Sequence, residues 1–419
     1  MRILVITSYY PPSRYGWGYM QLCEEVADGL SAKGHTIAVL TSTYRDGDEI
    51  VRQYPVYRSL SIDPDWHSDK LGAWRFFVGR RQREQRAVAH LRQLAAEFCP
   101  DVVFVWHTLG LSRAMLYEAE RLPDTVVVYC LADYAPERSD EYITFWHAPP
   151  VHWLARLLKR PLSKLALYML AREGKPIRLQ YENAICVSEY VRRRLVDQGL
   201  IPPTAVVIHN GIDLDRFHSN GFRHNFSGPV SLLYAGRLEP HKGIHHILEA
   251  LSLLSQEHRQ SIRELRVVGN GEPAYCSRLL QITAGLGLSS LIRLEPPVPR
   301  SQMPALLNEC DVLILPSSLE ALSRMMQEAM AMSLLVVGTA TGGSNELLAH
   351  ERNGLVFEPG DSKSLAKQLS RALNEPDLAA RLAEAGRQTV IENFDIKRTV
   401  EQIEGYLLDL VDGEGVLHS

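Results

Sequence analysis

Glu320 and Glu328 stand eight residues apart in the run Pro316-Ser-Ser-Leu-Glu320-Ala-Leu-Ser323-Arg-Met-Met-Gln-Glu328-Ala-Met-Ala331. On one straight helix, at about 100° per residue, the two would diverge by about 80°. A better reading puts Glu320 on a loop and Glu328 inside a helix over 324–332, with Ser323 as its N-cap. The apolar run 311–316 just before it reads as a buried strand. A strand, a loop and a helix N-terminus then converge, and helix N-termini favour anions because their first N–H groups are free.

Two more loops of the same half carry groups suited to anions. After the apolar run Val230–Ala235 comes Gly236-Arg237-Leu-Glu-Pro-His-Lys242-Gly243. Gly236 lets backbone approach a ligand closely. Arg237 offers a planar fork and Lys242 a compact charge, both matched to phosphate oxygens. After 334–338 comes Thr339-Ala-Thr-Gly342-Gly343-Ser-Asn-Glu346, a second glycine-rich turn before a helix. Taken singly, these are ordinary surface charges and solvated glutamates. Three such loops behind three strands point to a phosphate-bearing ligand.

The first half has candidates of its own. Ser8-Tyr-Tyr-Pro-Pro-Ser-Arg14-Tyr-Gly16-Trp-Gly18 joins the first strand to the first helix. Gly16 and Gly18 could bring backbone close to a ligand, with Arg14 assisting; the alternative is a plain surface loop. G-x-G-x-x-G is absent, so this is not a dinucleotide fingerprint. His107 follows the strand 101–106 and Asp133 follows 125–131, where cleft residues are expected. Residues 142–153 gather Tyr142, Phe145, Trp146, His147, His152 and Trp153. Aromatic faces stack on sugars but also fill cores, and for each one singly the core is the simpler reading. The segment 151–178 carries seven Lys or Arg against Glu173 alone. With Trp153, Leu154, Leu157 and Leu158 interleaving Arg156, Lys159 and Arg160, it could lie on an anionic membrane surface or be a solvated helix face.

These residues need elements to position them. Near-continuous apolar runs at Arg2–Thr7, 36–41, 101–106, 125–131, 183–188 and 205–209 suit strands buried on both faces of a parallel sheet. Tyr19, Leu22, Cys23, Val26, Ala27 and Leu30 keep helical spacing, closed by Lys33-Gly34. The second half repeats the theme with strands at Val230, Leu265, Leu291, Asp311, Leu334 and Leu355. The expectation is α/β with two doubly wound, Rossmann-like domains: 1–205, a polar linker 206–228, a second domain 229–390, and a terminal segment 391–419. Facing domains would leave a cleft for substrates.

The pattern resembles family 4 of the retaining GT-B glycosyltransferases. The resemblance rests on Tyr234-Ala-Gly-Arg237 through Lys242-Gly243, Val267-Val-Gly-Asn-Gly271, 311–317, and the two glutamates with their Glu-Ala-Met-Ala tail. Gly342-Gly343 with Glu346, 353–361, and Asn210-Gly211-Ile-Asp213 complete it. It implies a GT-B fold and transfer of a sugar from a nucleotide-diphosphate sugar, UDP or GDP type, to an acceptor hydroxyl. It assigns Arg237 and Lys242 to the leaving diphosphate, Glu328 to the ribose and Glu320 to the transferred sugar. Gly16, Gly18, Arg14, Gly236, Ser323, Gly342 and Gly343 join the donor site, Val298 stands in the base-contacting segment, and the last helix crosses back to the first domain. Two departures are visible. Glu-Gly-Phe-Gly is here Glu320-Ala-Leu-Ser323, and Ala132 stands where relatives carry a histidine beside Asp133. The acceptor, handled by Asp133 and His107, would be a carbohydrate, a lipid-linked group or a small molecule. Rival readings are a GT-B nucleotide-sugar epimerase, a phosphorylase, or a non-catalytic sugar-nucleotide-binding module.

Composition fits. A chain of 419 residues, 46% hydrophobic, can build two cores, and a net charge of −4 argues against a nucleic-acid partner. The six cysteines show no metal or disulfide spacing. With no signal peptide and no spanning segment in view, the expectation is a cytoplasmic protein without metal or cofactor, with peripheral contact to the inner face of the cytoplasmic membrane as a further option.

Overall fold

The computed structural model describes the chain except residues 14, 16, 49, 65–71, 139, 150–154, 220–223, 225 and 416–419. Arg14, Gly16, His152, Trp153 and Leu154 therefore lie outside the described residues, as do the side chains of Arg156, Leu157 and Leu158. The chain divides into two units: Met1–Val187 with Val191–Ile208 and Val400–Ser419, and Ser188–Tyr190 with His209–Thr399.

The first unit holds a seven-stranded sheet. Its strands are β1 (Arg2–Thr7), β2 (Thr36–Ser42), β3 (Val56–Leu60), β4 (Val102–Val105), β5 (Val126–Leu131), β6 (Asn183–Cys186) and β7 (Val206–Val207). All pairings are parallel, in the order β3-β2-β1-β4-β5-β6-β7. The order reverses between β1 and β4, where Ile3 is level with Val102. β1, β2, β4 and β5 are almost wholly buried, as a sheet covered by helices on both faces requires. β3 escapes sequence reading because Val-Tyr-Arg-Ser-Leu is an edge strand with a half-wet pattern.

The second unit repeats the plan with six strands: β8 (Val230–Ala235), β9 (Ile262–Val268), β10 (Ile292–Glu295), β11 (Val312–Leu315), β12 (Leu335–Gly338) and β13 (Leu355–Val356). Their order is β10-β9-β8-β11-β12-β13, again parallel, with the reversal between β8 and β11. Leu232, Leu265, Val267, Ile314, Val337 and the helix residues Ile247, Leu251 and Leu369 fill its core.

The two units divide between Ile208 and His209, inside the stretch expected as a linker. Val206–Val207 closes the first sheet. Ile212 bridges to Asp395, and Phe217 and Phe226 are buried, so two aromatic anchors outweigh the Gly, Asn and His composition. The helix Ile396–Gly415 passes from the second unit into the first. There Glu404 pairs with Lys33 at 2.8 Å and His35 at 2.8 Å. Gly29 leaves room for Val400, since a Cβ on it would meet that side chain at 2.7 Å.

Candidate functional site

In a doubly wound sheet, ligands gather beyond the carboxyl ends of the strands where the order reverses. In the second unit that place lies between the loops after β8 and β11, and those loops are joined. The backbone N–H of Ser318 donates to His241 O at 3.1 Å. Gly243 has φ 72°, and a Cβ there would lie 2.4 Å from Pro316 O, so only glycine permits this approach. The short helix Pro240–Lys242 then aims Lys242 at the β11 loop, and Lys242 Nζ donates to Glu320 Oε1 at 2.7 Å. Both side chains are mostly covered. Arg237 is half exposed and pairs with Glu239 at 2.9 Å. Gly236 precedes it, with its N–H on Val268 O at 3.0 Å.

Gly342 and Gly343 bring two loops of the second unit together. The N–H of Gly343 donates to Glu320 O at 2.9 Å, so it is already engaged. A Cβ on Gly342 would sit 2.0 Å from Glu320 O, and one on Gly343 1.7 Å from Ala321 O. These glycines let the loop after β12 close onto the loop that carries Glu320.

The helix Arg324–Ala331 follows, capped by Ser323, whose Oγ accepts from Met326 N at 3.3 Å. Its hydroxyl is thus a cap. Gln327, fully buried, exchanges two hydrogen bonds with Asn210: Nε2 to Asn210 O at 2.7 Å, and Asn210 Nδ2 to its Oε1 at 3.1 Å. Arg324 Nη1 donates to Gly211 O at 3.1 Å. The Asn-Gly turn therefore anchors this helix.

Glu328 is buried and faces a partner that sequence reading missed. Arg300 Nη1 donates to Glu328 Oε1 at 2.8 Å, and its guanidinium lies over the Phe217 ring at 5.3 Å. Arg300 follows the half-buried Val298 by two residues, on the loop after β10. A cation after a proline-rich turn carries no spacing signal, so nothing local tied it to Glu328. Glu346 was also unassigned. It accepts the N–H groups of Glu189 and Tyr190 at 3.0 and 2.9 Å, and contacts His209 Nε2 at 2.8 Å. Burial raises its pKa, but these hydrogen bonds outweigh burial and the net shift is downward.

In the first unit, His107 sits just beyond β4. Ser8 holds it from the β1 loop, its N–H and Oγ both donating to His107 O at 2.7 and 2.9 Å. Burial pushes the imidazole pKa down to about 4, with Asp133 acting against that shift and Arg138 with it. The ring is neutral at pH 7, so it can both donate and accept a hydrogen bond. Asp133 holds its own loop: Oδ1 accepts from Ala135 N at 2.9 Å and Oδ2 from Arg138 Nη2 at 3.1 Å. Gly18 is half-buried in the first turn of the helix Trp17–Ala32. Tyr142 and Trp146 pack with Phe76 and Leu170, so they are core. Among the described residues, no three His, Cys, Asp or Glu side chains cluster to hold a metal ion, and the cysteines are free thiols.

Two family models match. Glycosyltransferase Family 4 covers residues 21–216, and Glycosyl transferases group 1 covers 220–389. The chain is 27% identical over 416 residues to a glycogen synthase of Mycobacterium tuberculosis, covering 94% of this chain and 91% of that one. It is 27% identical over 286 residues to a D-inositol 3-phosphate glycosyltransferase of Thermobispora bispora, covering 60% and 66%. Among solved structures, sucrose-phosphate synthase of Thermosynechococcus elongatus superposes with TM-score 0.71 at 16% identity, covering 99% and 100%. Anabaena HepE in complex with UDP-glucose gives 0.68 at 19%, covering 98% and 100%. The fold is GT-B, and the chain belongs to the family 4 glycosyltransferases. It is an enzyme of the glycosyltransferase type.

Proposed function

We propose that this enzyme moves a sugar from a nucleotide-diphosphate sugar, UDP or GDP type, to an acceptor hydroxyl with retention of configuration. The observation that carries the reading is the Lys242–Glu320 pair, held at 2.7 Å where the second sheet reverses its order. A nucleotide-sugar donor is supported by fold neighbours bound to UDP and to UDP-glucose.

Lys242 and Arg237 stabilise negative charge on the departing diphosphate as the glycosidic bond breaks, where fixed cations act most strongly. Glu320 holds the transferred sugar and orients Lys242. Glu328, aligned by Arg300, accepts the ribose hydroxyls. The acceptor hydroxyl attacks the anomeric carbon on the face the diphosphate leaves. Its proton passes to a phosphate oxygen, so no protein nucleophile is required. His107 and Asp133 orient the acceptor. Its product belongs to polysaccharide, glycolipid or glycoside biosynthesis, made in the cytoplasm.

A peripheral membrane contact is a second part of the reading. No helix among the described residues is long and apolar enough to cross a membrane. The helix Ala155–Arg172 does expose Lys164, Leu165, Tyr168 and Arg172 along one face. Lys159 is not part of that face, since its Nζ donates to Ala148 O at 2.7 Å and lies over Phe145.

The test is nucleoside-diphosphate release from a panel of nucleotide sugars, with and without acceptors, and with product anomers read by NMR. Acceptor-dependent release with retained configuration is expected. Nucleoside-diphosphate release without any acceptor would favour an epimerase, dependence on inorganic phosphate a phosphorylase, and binding without release a non-catalytic module.

A further inference from the structure

The loops beyond β1, β2 and β4 carry aromatic rings to one corner of the first sheet. Tyr9 and Tyr15 follow β1, Tyr44 follows β2, and His107 follows β4. Tyr15 and Tyr44 meet at 5.3 Å with their planes at 90°. Tyr9 lies 5.7 Å from Tyr15, 5.8 Å from Tyr44 and 5.8 Å from His107. Tyr19, from the first helix, lies 5.3 Å from His107. Tyr9 is buried beneath the group, whereas Tyr15, Tyr19, Tyr44 and His107 are each part-exposed.

The loops that carry the rings are hydrogen-bonded to one another and to β3. Arg58, on β3, donates through Nη2 to Pro11 O at 2.6 Å, and through Nη1 to Tyr10 O at 3.1 Å and Tyr44 O at 3.4 Å. Asp46 N donates to Pro12 O at 3.0 Å. The β1 and β2 loops are therefore tied together, and Ser8 ties the β4 loop to them. This is an aromatic wall at the carboxyl edge of a doubly wound sheet, where ligands are taken.

We infer that Tyr15, Tyr44 and His107 form an acceptor subsite, and that the acceptor presents a pyranose ring to it. A pyranose carries an apolar face of C–H groups, whose partial positive charge suits the electron-rich face of a tyrosine ring. Its rim of hydroxyls suits an imidazole at the corner. The inference rests on the glycosyltransferase reading above and deepens it: the acceptor is a carbohydrate, free or as the head of a larger glycoside, rather than a plain alcohol. Arg58 is a positioning residue that acts through the two loops.

Saturation-transfer NMR on the full chain tests this with methyl glucopyranoside and maltose as probes, and glycerol as a polyol without a ring. The ring C–H protons of the pyranosides should receive saturation while glycerol does not. Tyr15→Ala and Tyr44→Ala should lower that signal and raise the acceptor KM roughly three- to tenfold, the size of an aromatic contact. Tyr15→Phe and Tyr44→Phe should keep it, since they retain the ring and serve where an alanine variant fails to fold. Equal signals from glycerol and the pyranosides, no signal from either pyranoside, or unchanged signals in folded alanine variants would overturn the inference. Failure of the underlying reading shows separately, as absence of nucleoside-diphosphate release from every nucleotide sugar while the pyranosides still bind.

Discussion

Lys242 Nζ stands 2.7 Å from Glu320 Oε1, and the two residues come from loops that follow neighbouring strands of one sheet. Lys242→Ala removes the compact cation and leaves a mostly covered carboxylate without it. Turnover should fall by about 10²–10³, the effect of losing one preorganised charge-stabilising donor. Steady-state kinetics with the best donor of the panel checks this. Near-normal kcat would remove Lys242 from the diphosphate. Arg237→Ala should cost less, because Arg237 is half exposed and shared with Glu239.

Arg300→Met should destabilise the second unit. Glu328 has a side chain only 7% exposed, and Arg300 is its ion-pair partner. Leaving a buried carboxylate uncompensated costs ~3 kcal/mol. Combining Arg300→Met with Glu328→Gln should recover most of the stability but not donor affinity. Urea unfolding and donor Kd by calorimetry separate the two effects; equal donor Kd in the double variant and the parent would show that Glu328 holds no part of the ribose.

The amide pair Asn210–Gln327 should behave as one unit. Each makes two hydrogen bonds with the other in a buried setting. Asn210→Ala and Gln327→Ala should each cost ~1–3 kcal/mol, the penalty of a stranded buried polar group. The double variant should cost less than the sum. Strict additivity in unfolding free energies would contradict the pairing.

His107 should make stability depend on pH. Its folded pKa is about 4, lowered by burial, against about 6.5 in an unfolded chain. Between those values the unfolded state binds a proton that the native state does not. Stability therefore falls as pH drops from about 6.5 to 4, by at most about 3 kcal/mol, and is unaffected by this group above that window. His107→Gln should flatten that part of the stability curve. The same slope in parent and variant would show that His107 titrates normally.

Membrane contact has a simple readout. Sedimentation with anionic vesicles should be strong at low salt and weak at physiological salt, where charge attraction is screened. Lys164→Glu combined with Arg172→Glu should abolish it, since both are exposed beside Leu165 and Tyr168. Binding that survives both substitutions would place the contact elsewhere.

Sequence alone determined the strand-and-helix alternation, because strands buried on both faces must be near-continuously apolar and so stand out as runs. It gave the N-cap at Ser323, since a cap is a contact within three residues. It identified the loops that carry Lys242 and Glu320, because each loop follows a legible strand, and it placed Glu328 in the helix that Ser323 caps. It missed β3, whose edge position admits the adjacent polar residues Arg58 and Ser59, and it did not mark the buried Phe217 and Phe226, which are sparse among polar residues.

Only the tertiary structure decided the pairings. Arg300 meets Glu328 across 28 positions, Lys242 meets Glu320 across 78, and Gln327 meets Asn210 across 117. It also set Gly342 and Gly343 against the Glu320 loop, through backbone distances that no residue type encodes. The reason is physical. Apolar periodicity and caps are short-range and leave a local trace. A salt bridge or a close backbone approach depends on where two distant loops are set by the order of strands in the sheet.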